Sequence, residues 1–496
     1  MENSKLILAI DQGTSSTKTL LFNEGGKMVA RGIEPLKTNY LVNGFVEQDP
    51  EGIYANVLAS VEKCLKEFKA SGGNLSDIST CGISNQRETF IIWDATGKPL
   101  YDAVVWQCKR SVAICEQLKQ NGLEPEIQSR TGLIADPYFS GTKLMWLYQN
   151  LASVKEAIDT GNAFFGTVDT WLLYKLTGGK SYLTDYTNAS RTMLFNLEEL
   201  DWDRSLLQHF GLGTLNLPET KPSANYFGET DFEGLLGRSL PITAMIGDSH
   251  AAAFGEGCFT AGTAKATLGT GCSVLMNIGS IPKPSANGMM TTICWSMEGR
   301  VDYAFEGVIV SCGATIEWLK NELGLFVNSK ETEAMATAVA DNGGVYIVPA
   351  FSGLGAPHWD MNRKAGISGL TFGSTKNHIV RAALESIAYQ LKDVVHAMNS
   401  DAGVPLQELM ADGGITSNKF LLQFLADLLQ KKVVHIGMAD VSALGAAFLA
   451  GLQSGIFKDI EQLTTLNTEK AYIEPSANVQ HMQAWYKGWH DAIGNR

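Results

Sequence analysis

Three segments of the chain place a lone carboxylate beside glycine at the end of an apolar run. They are Asp11 with Gly13, Asp248 with Gly247, and Asp412 with Gly413 and Gly414. Glycine lets the backbone approach a ligand closely, and backbone N–H groups together with hydroxyls donate to phosphate oxygens. A carboxylate at such a turn can hold hydrated Mg²⁺, because magnesium takes one or two carboxylates together with waters and phosphates. The pattern therefore indicates turns that bind nucleotide phosphates.

The first of these turns carries the most donors. Its hydroxyls and its single cation come from Thr14, Ser15, Ser16, Thr17 and Lys18. The same stretch also fits an ordinary hairpin with polar turn residues, so taken alone it leaves both interpretations open. Gly269-Thr270-Gly271 repeats the design later in the chain. The chain contains neither G-x-x-x-x-G-K-[ST] nor G-x-G-x-x-G after a strand, which excludes a P-loop or a Rossmann site by motif.

A second kind of site is indicated by Arg87 and Glu88, which separate two apolar strands near Trp106. Arginine only donates hydrogen bonds and a carboxylate only accepts them, so this adjacent pair could bind a polar small molecule. A surface ion pair would give the same local pattern. The spacing alone leaves a small-molecule site and a surface pair as alternatives.

The elements that must position these residues occur twice. Residues 6–10 and 17–22 alternate as an antiparallel pair of strands, and residues 28–35 add a third. Asp49-Pro50 is typical of a helix start, and it predicts a helix over 51–71. Segments 242–255 and 264–273 repeat the opening design, which predicts a duplicated architecture with its ligand in a cleft between two domains, 1–254 and 255–496.

Further predictions place residues 185–190 in a hydroxyl-rich loop, assign residues 307–317 to the start of a helix, and assign helices to 376–399, 418–430 and 441–451.

Length and composition set the outer bounds. A chain of 496 residues needs two or more domains, and a net charge of −13 argues against a generic nucleic-acid binder. The eight cysteines show no C-x-x-C spacing, which predicts buried free thiols. No stretch approaches the ~20 apolar residues of a membrane span. We therefore expect a cytoplasmic protein that binds neither nucleic acid nor membrane.

The motifs resemble those of the FGGY carbohydrate kinases, of the actin/hexokinase-like (ribonuclease H-like) ATPase superfamily. The first family signature is similar to residues 138–150, YFSGTKLMWLYQN, and the second to residues 365–370 with His378-Ile379 and residues 382–385. Within the family, four segments look like those of glycerol kinases: 11–14, 85–89, 136–143 and 349–360. The resemblance implies an α/β fold of two duplicated domains with a ligand cleft between them.

The resemblance also implies roles for individual residues, with ATP and Mg²⁺ as cofactors and a small polyol as substrate. Asp248 would be the general base. The polyol would be held by Arg87, Glu88, Trp106, Tyr138, Asp248, Ser249 and Ser273. The ATP phosphates would be held by Thr14, Ser15, Ser16, Lys18 and Thr270, and adenosine by Gly313, Glu317, Gly414 and Asn418. Asp11 would bind Mg²⁺ through water, and a homo-oligomer, a dimer or tetramer, is expected.

Three positions depart from the glycerol kinase pattern. Ser249 stands where glutamine is usual, Ser273 where phenylalanine is usual, and Lys18 where arginine is usual. The serines are either neutral drift or the signs of a roomier, more polar pocket. The expected reaction is phosphorylation of a terminal hydroxyl of glycerol, giving glycerol 3-phosphate, or of a close polyol such as a tetritol. The alternatives are a ketopentose kinase for ribulose or xylulose and an actin-like ATPase switch without polyol kinase activity.

Overall fold

Two large mixed β-sheets, one in each half of the chain, form the framework of the computed structural model, which describes residues 5–466 and 470–494. The elements of the first half are β1 (Leu6–Gln12), β2 (Ser16–Phe22), β3 (Met28–Pro35), β4 (Asn39–Tyr40), β5 (Val46–Gln48), α1 (Pro50–Ala70), β6 (Ile78–Asn85), β7 (Phe90–Asp94), β8 (Ala103–Val104), α2 (Val112–Gln120), α3 (Glu124–Thr131), α4 (Ser140–Asn150), α5 (Ala152–Asp159), β9 (Ala163–Thr167), α6 (Val168–Leu176), β10 (Leu183–Asp185), α7 (Tyr186–Ala189), β11 (Phe195–Asn196), β12 (Asp201–Trp202), α8 (Arg204–His209), β13 (Glu219–Lys221), β14 (Ala224–Thr230), β15 (Leu240–Gly247) and α9 (Asp248–Glu256).

The elements of the second half are β16 (Thr263–Leu268), β17 (Cys272–Gly279), β18 (Met290–Met297), β19 (Arg300–Ile309), α10 (Gly313–Asn321), α11 (Glu331–Thr337), β20 (Tyr346–Val348), β21 (Gly366–Ser368), α12 (Lys376–Ala402), β22 (Glu408–Asp412), α13 (Lys419–Leu429), β23 (Lys432–Ile436), α14 (Val441–Gln453), α15 (Ile460–Thr465), β24 (Lys470–Ile473) and α16 (Val479–Gly494). Short 3₁₀ turns cover Val42–Gly44, Leu75–Asp77 and Gly414–Ser417.

The two large sheets share a central pattern of strand pairing, although the second has seven strands and the first six. The first runs β14-β15-β6-β1-β2-β3, and the second runs β18-β19-β17-β16-β22-β23-β24. In the first, β1 pairs antiparallel with β2 and parallel with β6, which is parallel to β15. In the second, β16 pairs antiparallel with β17 and parallel with β22, which is parallel to β23. This repetition confirms the predicted duplication and fold class. A separate five-stranded sheet, β4-β5-β8-β7-β9, belongs to the first half.

Helices α9 and α14 lie between the two large sheets, where one apolar cluster contains residues of both sheets and both helices. Their contact depends on glycine, because a Cβ added to Gly445 would lie 1.8 Å from the carbonyl oxygen of Ala251. The predicted domain boundary at 254/255 falls inside α9, and the division into 1–254 and 255–496 stays a prediction. Asp248 is the first residue of α9.

Most predicted elements are present, and two assignments are wrong. Residues 185–190 contain helix α7, because the Asp185 carboxylate accepts from the backbone N–H groups of Thr187 and Asn188 and so caps a helix start. The helix placed within 307–317 begins only at Gly313, because strand β19 continues to Ile309 through its pairing with β17.

The cysteine prediction is confirmed, since all eight thiols are buried and unpaired. Within residues 5–466 and 470–494, every helix is too short or too polar to cross a membrane. The cytoplasmic location and the homo-oligomer stay predictions.

Candidate active site

A cavity of about 290 Å³ lies where α9 meets the loops of both halves. Its lining consists of Thr14, Arg87, Glu88, Trp106, Tyr138, Asp248, Ser249, Ala252, Lys265, Thr267, Ser273, Asp412 and Ser442. The cavity therefore brings together every residue predicted to hold the acceptor, together with one residue predicted to hold phosphate. The surface-pair alternative for Arg87 and Glu88 is wrong, because both side chains are buried.

Alternating arginines and glutamates form a buried network behind the cavity. Arg87 Nη2 lies 2.9 Å from Glu306 Oε1, and Arg191 Nη1 lies 2.7 Å from Glu306 Oε2. Arg191 Nε in turn donates to Glu88 Oε1 at 2.6 Å. Burial opposes the charge of Glu306, but Arg191 and Arg87 outweigh it and hold the pKa of Glu306 well below its usual range. Because the charges balance, the network can fix Arg87 and Glu88 in place.

Arg87 also reaches the carboxylate at the start of α9. Its Nε lies 3.3 Å from Asp248 Oδ1. The Asp248 side chain remains 39% exposed, so its second face is open to the cavity. Ser442 Oγ on α14 donates to the Asp248 carbonyl at 3.0 Å, which holds the first turn of α9 against the neighbouring helix. A fixed, accessible carboxylate beside a bound hydroxyl can act as a general base.

Glu88 adopts an unusual backbone conformation for a residue with a side chain, with φ of +59°. Ser140 Oγ donates to the Glu88 carbonyl at 2.8 Å and holds the loop in this conformation. Burial raises the pKa of Glu88 against the opposing effect of Arg87 and Arg191. Strained residues concentrate at functional sites, and here the strain directs a carboxylate into the cavity.

Tyr138 and Trp106 form the aromatic wall of the cavity, with their rings edge to face at 5.6 Å. Lys143 Nζ supports both residues, donating to the Tyr138 carbonyl at 2.9 Å and to the Trp106 carbonyl at 3.3 Å. Burial lowers the pKa of Lys143 to about 7. Burial also raises the pKa of Tyr138, so its phenol keeps the proton and remains a hydrogen-bond donor.

Two glutamine side chains and the Trp106 indole hold the turn after Asp11 against this aromatic wall. Gln48 Nε2 donates to the Thr14 carbonyl at 2.8 Å, and Thr14 Oγ1 donates to Gln86 Oε1 at 3.2 Å. Trp106 Nε1 donates to Thr14 Oγ1 at 3.0 Å. The turn itself is closed by Gly13, whose N–H donates to the Ser16 carbonyl at 3.0 Å. The hairpin and phosphate-turn interpretations are therefore compatible, because the polar turn of the β1–β2 hairpin faces the cleft.

Asp11 and Lys18 face each other across this hairpin. Burial, together with the nearby Asp248, raises the pKa of Asp11 to about 6, against the opposing charge of Lys18. Lys18 Nζ forms an ion pair with Asp440 Oδ1 at 2.8 Å, immediately before α14. Burial opposes the charge of Lys18, but the hydrogen bond to Asp440 outweighs it and raises the lysine pKa.

The residues around Asp11 fit a water-bound magnesium ion. Asp248 and Asp440 both add negative potential at the Asp11 carboxylate. Over the described ranges, no cluster of three or more histidine, cysteine or acidic side chains is arranged to hold a metal directly. Mg²⁺ uses few protein ligands and keeps waters and phosphate oxygens, so a single carboxylate in a region of negative potential suits it.

The turn Gly269-Thr270-Gly271, which is also predicted to bind phosphate, packs closely against two glycine segments. The Gly313 N–H donates to the Gly269 carbonyl at 2.9 Å, and the Cys312 N–H donates to the Thr270 carbonyl at 2.9 Å. A Cβ at Gly313 would lie 2.7 Å from the Gly269 oxygen, and one at Gly413 would lie 2.4 Å from the Leu268 oxygen. Only glycine allows these turns to meet, and Thr270 at the tip of the turn is exposed.

The remaining predicted nucleotide residues lie outside the cavity: Ser15, Ser16, Lys18, Thr270, Gly313, Glu317, Gly414 and Asn418. Asn418 caps α13 by accepting from the Leu421 N–H at 3.0 Å, and its amide donates to Thr332 Oγ1. Glu317 is bonded to Lys320 and Ser329. Their roles toward adenosine stay predictions.

Sequence reasoning missed several residues of the site. Glu306 and Arg191 belong to the buried network, and Lys265 lines the cavity. Asp440 immediately precedes α14, and Ser442 lies in the first turn of that helix. One signal was available, since Glu306 is a lone charge within an otherwise apolar stretch of β19. Its partners, however, come from the other half of the chain.

The chain matches known proteins over nearly its whole length. Residues 6–255 match the model of the FGGY family of carbohydrate kinases, N-terminal domain, and residues 264–454 match that of the C-terminal domain. The chain is 46% identical to a glycerol kinase of Carboxydothermus hydrogenoformans, over 99% of this chain and 97% of that protein. It is 47% identical to a glycerol kinase of Shewanella oneidensis, over 99% of this chain and 98% of that protein.

Among solved structures, the crystal structure of Plasmodium falciparum glycerol kinase with ADP superposes with a TM-score of 0.94 at 35% identity, covering 99% of this chain and 98% of that chain. Fold and site together define the class, an ATP-dependent carbohydrate kinase with duplicated sheets around a cleft. More particularly, the chain belongs to the FGGY family of carbohydrate kinases.

Proposed function

We propose that this protein transfers the γ-phosphoryl group of ATP to a terminal hydroxyl of glycerol or a closely related small polyol. The observation that carries the proposal is the convergence of Arg87, Glu88 and Asp248 on one cavity. A guanidinium donates and two carboxylates accept, which suits neighbouring hydroxyl groups. The full-length similarity to glycerol kinases supports the choice of glycerol.

In the proposed mechanism, Asp248 accepts the proton of the acceptor hydroxyl. The hydroxyl oxygen then forms a bond to the γ-phosphorus as the bond from that phosphorus to the bridging oxygen breaks, and ADP leaves. Arg87 and Glu88 orient the acceptor, and Trp106 with Tyr138 packs against its carbon chain. Phosphoryl transfer requires alignment and charge stabilisation more than covalent chemistry from the protein, and these side chains supply the alignment.

Residues of both halves are proposed to hold the nucleotide. Thr14, Ser15, Ser16, Lys18 and Thr270 would donate to its phosphates, and Gly313, Glu317, Gly414 and Asn418 would line the adenosine site. Asp11 would hold Mg²⁺ through water. When bound, Mg²⁺ neutralises charge on the phosphate oxygens. Closure of the cleft would exclude water and suppress hydrolysis of ATP.

The test is an assay of the full-length protein with ATP and Mg²⁺, in which ADP release is measured with and without glycerol. The expected result is glycerol-dependent ADP release with stoichiometric glycerol 3-phosphate, identified by ³¹P NMR. ADP release that is indifferent to every polyol would instead support the ATPase switch. A preference for ribulose or xylulose over polyols of more than about a hundredfold in kcat/KM, or ~2.7 kcal/mol, would support the ketopentose kinase.

A further inference from the structure

The cavity continues beyond Asp248 along the underside of α9. Ser249 and Ala252 lie on successive turns of this helix, and both are small. In the sheet below, Thr267 lies opposite Ser273 on one neighbouring strand and opposite Asp412 on the other. Lys265 is two residues before Thr267, so it lies on the same face. One face of the second sheet thus presents hydroxyls, an ammonium and a carboxylate to the cavity.

The inner end holds polar atoms that lack protein partners. Asp412 is only 9% exposed, and no residue of the described ranges hydrogen-bonds to its Oδ1 atom. Lys265 is 2% exposed, and its Nζ donates to Thr267 Oγ1 at 2.7 Å. An ammonium has three donors. A buried acceptor without a partner is unfavourable, so this end of the cavity is suited to a ligand that both donates and accepts.

The charge around this end favours a neutral ligand. Glu256 lies one turn beyond Ala252 on α9, and burial together with the nearby Asp412 raises its pKa well above the usual range. A diol can accept from Lys265 and donate to Asp412, whereas an acidic ligand would place its carboxylate against Asp412.

The serines line the passage between the two ends of the cavity. The Oγ atoms of Ser249 and Ser273 are 3.5 Å apart, and Ser273 Oγ donates to Glu306 Oε1 at 3.3 Å. The cavity volume of about 290 Å³ exceeds that of glycerol, which displaces roughly four waters of ~30 Å³ each. Volume alone does not identify the acceptor, because the γ-phosphoryl group enters the same space. The acceptor class is inferred instead from Asp412 Oδ1, which has no hydrogen-bond partner among the described residues, and from the ammonium of Lys265.

We propose that Lys265, Asp412 and Ala252 form a distal subsite for the far hydroxyls of a neutral four- or five-carbon polyol, whose near end reacts beside Asp248. This inference rests on the proposed function, because it uses the same reacting end and the same phosphoryl donor. It makes Asp412 and Lys265 specificity-determining residues.

The first experiment measures kcat/KM of the full-length protein for glycerol, erythritol, threitol, ribitol, arabitol, ribulose, xylulose and gluconate at saturating MgATP. At least one four- or five-carbon polyol is expected to exceed glycerol by tenfold or more, and gluconate is expected to be poor. A highest value for glycerol would overturn the subsite and leave the proposed function intact. Phosphorylation of no polyol at all would overturn both.

The second experiment compares two variants with different chemistry. Asp412→Asn keeps the shape of the side chain but alters its acceptor, and Ala252→Leu fills the space beneath α9. Each is expected to lower the ratio of kcat/KM for the longer polyol to that for glycerol at least tenfold. Asp231→Asn, at an exposed position, is the matched control. If Asp412→Asn raises KM for ATP and leaves the ratio unchanged, the residue serves the nucleotide and the inference is wrong.

Discussion

Arg87 and Glu306 are 219 residues apart in the chain, yet Arg87 Nη2 lies 2.9 Å from Glu306 Oε1. Arg87 follows β6 of the first sheet, and Glu306 belongs to β19 of the second. The arginine proposed to bind the acceptor is therefore oriented by the opposite half of the chain. Any movement of one sheet against the other would change the position of this guanidinium, which couples the acceptor site to the packing between the halves.

Glu306→Gln should be strongly destabilising. The substitution removes the anion between Arg87 and Arg191, and breaking a buried ion pair by altering one partner lowers stability by about 3–5 kcal/mol. Urea unfolding followed by circular dichroism measures this change, and KM for the acceptor should rise because Arg87 loses its anchor. Glu298→Gln, at an exposed position nearby in sequence, is the control. A change within about 0.5 kcal/mol, typical of a surface site, would contradict the prediction.

Asp248→Asn should lower kcat without unfolding the protein. The amide keeps the size of the side chain but cannot accept the acceptor proton, and general-base assistance contributes about 10²–10⁴-fold. Steady-state kinetics at saturating ATP and acceptor measure the loss. The melting temperature should stay close to that of the unaltered protein, because the Asp248 side chain is 39% exposed. Near-normal turnover would exclude Asp248 as the base.

Lys18→Met should weaken ATP binding. A hydrogen bond to a charged phosphate is worth about 1.5–3 kcal/mol, so KM for ATP should rise roughly 10- to 150-fold. Kinetics with ATP as the varied substrate measure the effect, and Lys27→Met, at an exposed position, is the matched control.

Asp440→Asn tests the same contact from the other side. It removes the carboxylate that competes for Lys18, so KM for ATP should fall, and a rise would contradict this assignment.

Local sequence predicted those parts of the fold that depend on local forces. The turn after Asp11, the helix capped by Asp49 and the hairpin at residues 264–273 all follow from nearby residues, and the structure contains each of them. The predicted repeat of the opening design at residues 242–255 is wrong, because this segment is strand β15 of the first sheet followed by helix α9. The residues Arg87, Trp106 and Tyr138 were placed in one site by family resemblance, and the structure brings them to one cavity. Spacing alone could not separate such a site from a surface ion pair.

The parts that were missed depend on contacts distant in sequence. Arg191 and Glu306 are recognisable only once the two sheets face each other, because each is paired across the cleft. Lys265 belongs to the site because of strand register and not because of a motif. The start of α10 was placed too early because antiparallel pairing with β17 extends β19 through Gly307. Strand pairing thus outweighed the local preference that suggested a helix.

The raised pKa of Asp11 should produce a pH dependence that Asp11→Asn removes. The carboxyl must lose its proton to hold a cation, and burial raises its pKa to about 6, so kcat/KM for ATP should fall about tenfold per unit of pH below that value. Excess Mg²⁺ should shift this acidic fall in kcat/KM, the acid limb of the pH profile, to lower pH, because a cation favours the ionised form of the carboxyl. A pH profile at several Mg²⁺ concentrations measures both effects, and a limb that ignores Mg²⁺ would contradict the role of Asp11.

The same pKa makes an independent prediction for stability. The folded protein holds the Asp11 proton more tightly than the unfolded chain, where the pKa is 3.8. The stabilisation from this proton is therefore fully present below about pH 4, and it is lost as the pH rises through about 6. Urea unfolding of the unaltered protein and of Asp11→Asn across this range, without Mg²⁺, gives the contribution as a difference. We expect the asparagine variant to gain in relative stability as the pH rises, and parallel pH curves for the two proteins would show that Asp11 has an ordinary pKa.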